Sequence, residues 1–241
     1  DADIEIKNDT AMKEHKKDRK DILDESIVTS IKDLDGVLEV HPVVFAEITV
    51  PWEPDFSDMW MKEFYEKWLT VPYSQEKEEY QNHPENFGSS LIGIDEQKFD
   101  FLNENLEQPI NKEEFLSGKT CIIYRNGLDL SNSDLIGSKV TCALHSDKQV
   151  TQTFTIGGVT DESYYTAILG YPPTIITSDQ VVKNFANESI TLKIGVKYTK
   201  EYDRNIEKEI LKLLEANGKE KDLSWDSKIE EADEIKNAQG Y

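Results

Sequence analysis

Apolar positions along this chain follow two periods, and each period predicts a kind of secondary structure. In DIEIKN the alternation places Ile4 and Ile6 on one face, which predicts a short first strand. In DILDESIVTSIKDLDG, apolar residues recur at helical spacing from Ile27 onward, and Gly36 can end that helix in the left-handed conformation. The long β-branched segment VLEVHPVVFAEITV follows at once, so a β-α-β unit is predicted over roughly residues 3–50.

A second β-α-β pattern lies near the other end of the sequence, at roughly residues 190–226. ITLKIGVKYT alternates along its whole length, as a strand with one buried face does. The segment KEYDRNIEKEILKLLEANGK predicts a helix that Gly218 ends, and DLSWDS predicts a closing strand. The apolar face of that helix is formed by Tyr202, Ile206, Ile210 and Leu214. From Lys228 the chain is polar and is interpreted as an exit segment.

The middle of the sequence is rich in short strands separated by Ser, Asn, Asp and Gly residues, among them SSLIGID, TCIIY, KVTCAL and the Gly-Gly-interrupted QVTQTFTIGGVT. Because the first and last β-α-β units must pack on each other, this middle part is predicted to be a second lobe inserted between them. The predicted fold class is α+β. Residues 1–104 and 188–241 are predicted to form one lobe, and residues 105–187 the inserted strand-rich lobe.

Residues 51–87 stand apart because they hold three of the four tryptophans. Ser57 is a plausible N-cap of an amphipathic helix over residues 57–69 with an aromatic face, and the polar segment SQEKEEYQNHPEN after it is interpreted as a loop. Three interpretations of the aromatic face stay open: a docking face for a partner or substrate, rings buried in the protein's own core, or a sugar-binding platform. The candidate face consists of Trp52, Trp60, Phe64 and Trp68.

Composition narrows the class of protein. The 241 residues are 37% hydrophobic, which is sufficient for one large or two small cores. The net charge of −21 opposes binding to nucleic acid or to an anionic membrane surface. No apolar run approaches the roughly 18 residues of a membrane span. The sequence opens on Asp without a charged and apolar leader, and we expect it to be a piece of a longer protein.

Candidate chemistry is sparse. The sequence contains no P-loop, GxSxG, HExxH or GxGxxG pattern, and its four histidines share no ligand spacing, so no catalytic residue, cofactor or metal site is predicted. Cys121 and Cys142 lie in apolar, strand-like settings, which favours two buried small residues over one optional disulfide bridge between adjacent strands. Asp95 ends the strand SSLIGI, where a carboxylate can be catalytic or can bond nearby backbone amides at a turn.

Taken in order along the chain, several short motifs resemble those of the extracytoplasmic core domain of MacB/FtsX-type ABC transporter permeases. The resemblance covers most of the chain apart from residues 51–87. The motifs are Gly36-Val37, Gly93-Ile94-Asp95, Ser117-Gly118-Lys119, Gly137-Ser138-Lys139-Val140 and the strand Phe154–Val159.

This resemblance implies a porter-like lobe of two β-α-β units with an inserted small strand-rich lobe. It implies membrane helices on both sides of the chain, a location outside the cytoplasm of a bacterium, and a cytoplasmic ATPase partner. A second permease copy or a paralogue, and a peptide, lipoprotein or extracellular protein, are further implied partners. ATP would be hydrolysed in the ATPase, so this domain is expected to be no enzyme, and Asp95 is expected to end a strand without catalysing a reaction.

Two alternatives come from other functional classes. One is a free-standing secreted binding or adhesion module that uses the aromatic helix 57–69 as its ligand face. The other is an extracellular hydrolase with an unmarked pair of carboxylates, which would show a cleft with a perturbed carboxyl pKa.

Overall fold

The structure, a computed structural model, describes residues 2–162, 171 and 173–240. Its strands are β1 Ile4–Asn8, β2 Val37–Thr49, β3 Ser89–Ile94, β4 Thr120–Tyr124, β5 Lys139–Leu144, β6 Thr151–Thr160, β7 Thr174–Ser178, β8 Ile190–Tyr198 and β9 Leu223–Ser227. Its α-helices are α1 Glu25–Lys32, α2 Phe56–Phe64, α3 Tyr73–Asn82, α4 Glu96–Glu104, α5 Lys112–Leu116, α6 Asn132–Leu135, α7 Asp179–Phe185, α8 Arg204–Ala216 and α9 Lys228–Gln239. A π-helical segment spans Tyr65–Leu69, and 3-10 segments lie at Asp9–Met12, Lys16–Asp18, Pro84–Asn86 and Glu220–Asp222.

The chain divides into two compact units. Unit 1 is Asp1–Val44 with Ile190–Tyr241, and unit 2 is Phe45–Ser189. The division predicted above differs, because it placed residues 51–104 with the two chain ends. In the structure β3 pairs in parallel with β7, and this pairing keeps β3 within unit 2.

Unit 1 contains both predicted β-α-β units, β1-α1-β2 and β8-α8-β9. Its strand order is β2-β8-β1-β9, and β1 is antiparallel to β8 and to β9. The strands of each β-α-β unit are therefore separated by a strand of the other unit. This interleaving makes the two ends of the sequence one structural body.

One core joins the strands and helices of unit 1. The alternating residues of β1 and β8 face the helical rows that periodicity predicted in α1 and α8, as expected for helices on one face of a sheet. Its fully or nearly buried members are Ile4, Ile6, Ile22, Leu23, Ile27, Ile31, Ile194, Val196, Tyr198, Ile206, Ile210, Leu214, Leu223 and Ile229. Tyr202, predicted for the same helical face, lies before α8, is exposed and has a φ of 56°.

The first and last strands of unit 1 lie side by side. Ile4 of β1 lies opposite Ser227 of β9, and the Lys228 amide donates to the Asp3 carbonyl oxygen at 3.0 Å. The predicted polar exit segment is helix α9, which begins directly after β9, with the Ser227 hydroxyl accepting from the Glu230 amide at 3.2 Å. Among the residues of α9, Ile229 alone is buried, so the helix has almost no apolar face and its sequence shows little helical periodicity.

A buried polar cluster fastens α8 to the strands beside these chain ends. The Glu207 carboxylate accepts hydrogen bonds from the Tyr198 hydroxyl at 2.8 Å and from the Ser227 hydroxyl at 2.9 Å. Asp3 accepts from the Tyr198 amide at 2.7 Å. Burial, followed by the bond to Glu207, raises the pKa of Tyr198 far above its ordinary value, so the phenol stays protonated and donates.

Unit 2 has the strand order β3-β7-β4-β6-β5-β2, and an additional pairing of β3 with β2 joins the two ends of that order. A closed order leaves fewer unpaired strand edges than an open sheet does. The Gly-Gly break predicted within β6 is a bulge, because Cys121 of β4 lies opposite Ile156 while Ile122 lies opposite Gly158. A Cβ atom on Gly158 would lie 2.8 Å from Cδ1 of Leu106, so glycine there permits close packing.

Candidate functional site

The aromatic segment of unit 2 is built from α2, the π-helical segment and α3. The predicted helix 57–69 is present as α2 followed by Tyr65–Leu69, and Thr70 ends it in the left-handed conformation with a φ of 53°. Ser57 does not cap the helix, because it is buried and its hydroxyl donates to the Pro51 carbonyl oxygen at 3.2 Å. π-Helical segments are rare and are often found at functional sites.

Helix α3 forms where the polar pattern predicted a loop, and that prediction is wrong. Tyr73 and Tyr80 lie seven residues apart, two helical turns, and both are buried. Two buried aromatic residues on an otherwise polar helix produce only a weak helical periodicity in the sequence. Their seven-residue spacing is the one sequence feature that could have predicted this helix.

Trp60 and Phe64, two members of the candidate face, lie in the core of unit 2. Trp60 is fully buried and stacks on Phe56, with ring centroids 5.8 Å apart and planes inclined by 23°. Phe64 is buried and meets Tyr65 edge to face at 5.8 Å. Buried rings offer no surface to a partner, so these two side chains support the core interpretation.

Six aromatic rings close a continuous circuit beside these residues. Each ring contacts the next, with centroid distances between 5.1 and 6.3 Å, in stacked, tilted or edge-to-face geometry. Such pairs add about 0.5–1.5 kcal/mol each beyond the burial of their area. The members of the circuit, in order, are Phe64, Tyr65, Tyr73, Tyr80, Phe87 and Tyr171.

Trp68 is the exposed member of the candidate face, with 52% of its surface open to solvent, whereas Trp52 is half-buried. Its indole N–H donates to the Asn126 carbonyl oxygen at 3.2 Å, and its ring lies over Gly127. The neighbouring Lys67 donates to the Gly127 carbonyl oxygen and lies 3.3 Å from Asp129. These contacts hold the end of the π-helical segment on the turn after β4, and they orient the exposed face of the indole outward.

Trp52 is half-buried and lies between polar and aromatic neighbours. The Lys77 ammonium lies 5.1 Å from the centroid of the Trp52 ring and 3.0 Å from Asp58. Burial, followed by the Asp58 charge, raises the pKa of Tyr73 to about 12, and the adjacent Trp52 indole lowers it in part. The indole nitrogen of Trp52, that of Trp60 and the hydroxyl of Tyr73 are all buried without a hydrogen-bond partner among the described residues.

The Tyr80 hydroxyl, which is buried in the same region, does have a hydrogen-bond partner. The Tyr80 hydroxyl donates to the Val50 carbonyl oxygen at 2.6 Å. Burial raises the pKa of Tyr80 well above its ordinary value, with a smaller opposing contribution from Ser57. This bond joins α3 to Val50, the residue directly after β2. It therefore fixes the start of the segment that leads through Trp52 to α2.

Asp95 lies where the sequence placed it, directly after β3. Its carboxylate accepts from the Lys98 amide at 2.8 Å and caps α4, which is the backbone role expected for it. In the structure Ile94 pairs with Ser178, and this pairing brings Asp179, at the start of α7, close to Asp95. The sequence did not reveal this proximity. Burial raises the pKa of Asp179, Lys183 opposes that shift, and Asp95 adds a smaller upward contribution.

A carboxylate pair is the feature that the hydrolase alternative requires. Of this pair, Asp95 is engaged with helical backbone, and Asp179 accepts from the Gln180 amide at 2.8 Å. Both carboxylates therefore act as helix-start acceptors, a role that needs no substrate. The equivalent sequence signal at both positions is an apolar strand followed at once by Asp and a helix.

The remaining candidate chemistry is equally limited. In the described part of the chain, no group of three or more His, Cys, Asp or Glu side chains could hold a metal ion. Cys121 and Cys142 are free and buried, and burial raises the pKa of both thiols, that of Cys142 to about 12. No helix among the described residues has the length and apolar character to cross a membrane.

The fold is α+β: unit 1 contains two interleaved β-α-β units, and unit 2, which is inserted between them in the sequence, is rich in strands. No protein-family model matches the chain, and no curated protein matches it. Among solved structures it is similar to the periplasmic region of MacB from Actinobacillus actinomycetemcomitans, at 16% identity, with 98% of this chain and 94% of that chain covered and a TM-score of 0.52. This likeness confirms the predicted MacB periplasmic-core-like fold.

A second solved structure, the extracellular domain of the noncanonic ABC-type transporter YknZ from Gram-positive bacteria, also matches. It is 13% identical, covers 84% of this chain and 88% of that chain, and has a TM-score of 0.44.

Proposed function

We propose that this chain is a non-catalytic extracytoplasmic domain of an ABC transporter permease in a bacterial plasma membrane. The observation that carries the proposal is the fold likeness to the MacB periplasmic region over nearly the whole of both chains. The ordered motifs from Gly36 to Val159 support it independently, because they are a property of the sequence and not of the fold.

The geometry of unit 1 supports a coupling role. Asp3, just before β1, and Lys228, the first residue of α9, are hydrogen-bonded, so the start of β1 and the start of α9 lie together. If membrane helices precede β1 and follow α9, a movement of either helix is delivered to this part of unit 1. The buried cluster of Glu207, Tyr198 and Ser227 then transmits it to α8 and β8 as a hinge-type motion of a rigid body.

The partners follow from this role. ATP would be hydrolysed by a cytoplasmic ATPase of the same transporter, and a second permease copy or paralogue would complete the membrane part. The moving domain would act in the export or handling of a peptide, lipoprotein or other amphiphile, or on an extracellular protein. Within the candidate face of Trp52, Trp60, Phe64 and Trp68, we assign partner contact to the exposed Trp68, because Trp60 and Phe64 are buried.

The first test is the native gene on both sides of the chain. The proposal expects apolar stretches of about 20 residues next to both ends and an ATPase gene nearby. A cleavable leader followed by a stop codon soon after Tyr241 would instead favour the secreted binding module.

Topology is the second test. Lys17→Cys in the full-length protein introduces an exposed thiol, while Cys121 and Cys142 are buried and give a low background. A membrane-impermeant maleimide should label the variant in intact cells and leave the parent protein unlabelled. Labelling that requires cell lysis would place the domain in the cytoplasm and end the proposal.

A further inference from the structure

We propose that residues 13–20, which we name the basic loop, form a docking surface for an extended acidic segment of a partner protein. The loop lies between the 3-10 segment Asp9–Met12 and helix α1. Its eight residues contain five of the 27 Lys and Arg residues of the chain and two of its 48 Asp and Glu residues. A chain whose net charge is −21 therefore carries a local region of opposite sign. The five cationic residues are Lys13, Lys16, Lys17, Arg19 and Lys20.

The basic loop is closed by one of its own side chains. The Arg19 guanidinium donates from Nε to the Lys13 carbonyl oxygen at 2.9 Å and from Nη2 to the Glu14 carbonyl oxygen at 3.2 Å. At the tip, the Asp18 amide donates to the His15 carbonyl oxygen at 2.9 Å. These bonds draw the entry and the exit of the loop together and hold its lysines close to one another.

The base of the basic loop is fixed to the sheet of unit 1. The Lys20 amide donates to the Thr10 hydroxyl at 2.9 Å. The buried Asn8 side chain donates to the Lys20 carbonyl oxygen at 2.7 Å and to the Thr191 carbonyl oxygen of β8 at 3.2 Å. A loop that is already ordered loses less conformational entropy when it binds, so this arrangement favours binding. Like charges held together repel one another, and an anionic partner would offset that repulsion.

The exposed side chains of the loop select carboxylates on a flexible chain. Lys13, Lys16, Lys17 and Lys20 are exposed, whereas Arg19 is half-buried and donates within the loop. A lysine ammonium acts as a compact charge on a flexible stem and imposes no fixed fork geometry on its partner. Several such charges suit a row of Asp or Glu side chains better than one precisely oriented anion.

The charge around the loop limits the shape of the partner. At physiological salt, exposed charges interact over about 8 Å, so a narrow segment on the loop experiences mainly the loop. A flat anionic membrane or a second copy of this acidic chain would also approach Glu14, Asp18 and the acidic surface beyond them, and would be repelled. An extended acidic segment avoids this repulsion. Its source, an extracellular protein that the transporter acts on, rests on the proposed function.

The experiment titrates the ¹⁵N-labelled chain with an end-blocked hexaglutamate peptide, and separately with the matching hexaglutamine peptide, at low salt. We expect the acidic peptide alone to shift the amide signals of residues 13–20. Lys16→Gln combined with Lys17→Gln should weaken binding about three- to tenfold, since each exposed ion pair contributes little. The matched control, Lys208→Gln with Lys212→Gln, removes the same charge from exposed positions of α8 and should weaken binding less than about twofold.

A third variant tests the closed form of the loop. Arg19→Lys keeps the charge and removes the guanidinium that bonds two carbonyl groups, so binding should weaken about two- to threefold. Undiminished binding by this variant would overturn the ordered loop as the docking surface.

Three other results would overturn the proposal. They are peptide-induced shifts outside the loop only, equal losses in the two lysine pairs, and binding of phosphatidylglycerol vesicles, lost in the Lys16 and Lys17 variant, that exceeds binding of the peptide. The titration needs only the chain itself. Its failure would leave the transporter proposal standing, and a cytoplasmic location in the labelling test would leave the binding result standing.

Discussion

Replacing Trp60 with alanine should remove one of the largest packed side chains of unit 2. The ring is fully buried, and a tryptophan covers about 150–250 Å² on burial, which corresponds to about 4–6 kcal/mol at 25 cal/mol per Å². Alanine retains part of this, and the stack on Phe56 is lost as well. We therefore expect Trp60→Ala to lower the free energy of unfolding by about 3–5 kcal/mol.

Trp68→Ala is the matched control within the same segment. Half of the Trp68 surface is exposed, and its one hydrogen bond, to Asn126, is on the surface. We expect Trp68→Ala to lower the free energy of unfolding by about 1 kcal/mol or less. Both variants are compared with the parent by urea unfolding followed by far-ultraviolet circular dichroism, whose signal does not depend on tryptophan emission.

The contrast between the two variants decides the role of the aromatic face. A loss below about 1 kcal/mol for Trp60→Ala at an unchanged m-value would refute the burial argument. A Trp68→Ala variant as damaged as Trp60→Ala would mean that the π-helical segment is core throughout. The expected result leaves Trp68 available as a probe of partner binding in cells, because the folded domain persists without it.

Four further outcomes follow from the contacts described above. Tyr73→Phe should leave the free energy of unfolding unchanged or raise it by about 1 kcal/mol, since the hydroxyl is buried without a geometric partner among the described residues; destabilisation in urea would show that it is satisfied. Asp95→Ala should cost about 1 kcal/mol through loss of the α4 cap, while Asp95→Asn keeps an acceptor and most of the stability; equal losses would contradict the capping role. Because the folded-state pKa of Asp179 is raised, its ionisation opposes folding above that pKa, so Asp179→Asn should raise the melting temperature at pH 7, with the gain vanishing as pH falls below 3.8; a gain independent of pH would exclude this cause. Gly158→Ala should lower stability by about 1–3 kcal/mol, because the new methyl group would meet Leu106, and thermal unfolding would detect an unexpected tolerance.

The paired β-α-β units were predictable from the sequence because each is a local pattern. Ile4 and Ile6 alternate within a single strand, and the α8 row from Ile206 to Leu214 repeats within a single helix, so neither needs information from distant residues. The interleaved order β2-β8-β1-β9 is a property of pairing between the chain ends. Local periodicity carries no information about which strand becomes the neighbour of which.

In the candidate site, too, some features follow from local sequence and others depend on tertiary packing. Local spacing was sufficient to predict that residues 57–69 form a helix rich in aromatic side chains and that Asp95 follows a strand. Long-range packing determines that Trp60 is enclosed while Trp68 reaches solvent, although both belong to one row spaced by four. It also decided that Asp179 lies beside Asp95, through the pairing of β3 with β7. Burial and proximity depend on what packs against a face, and that depends on the whole chain.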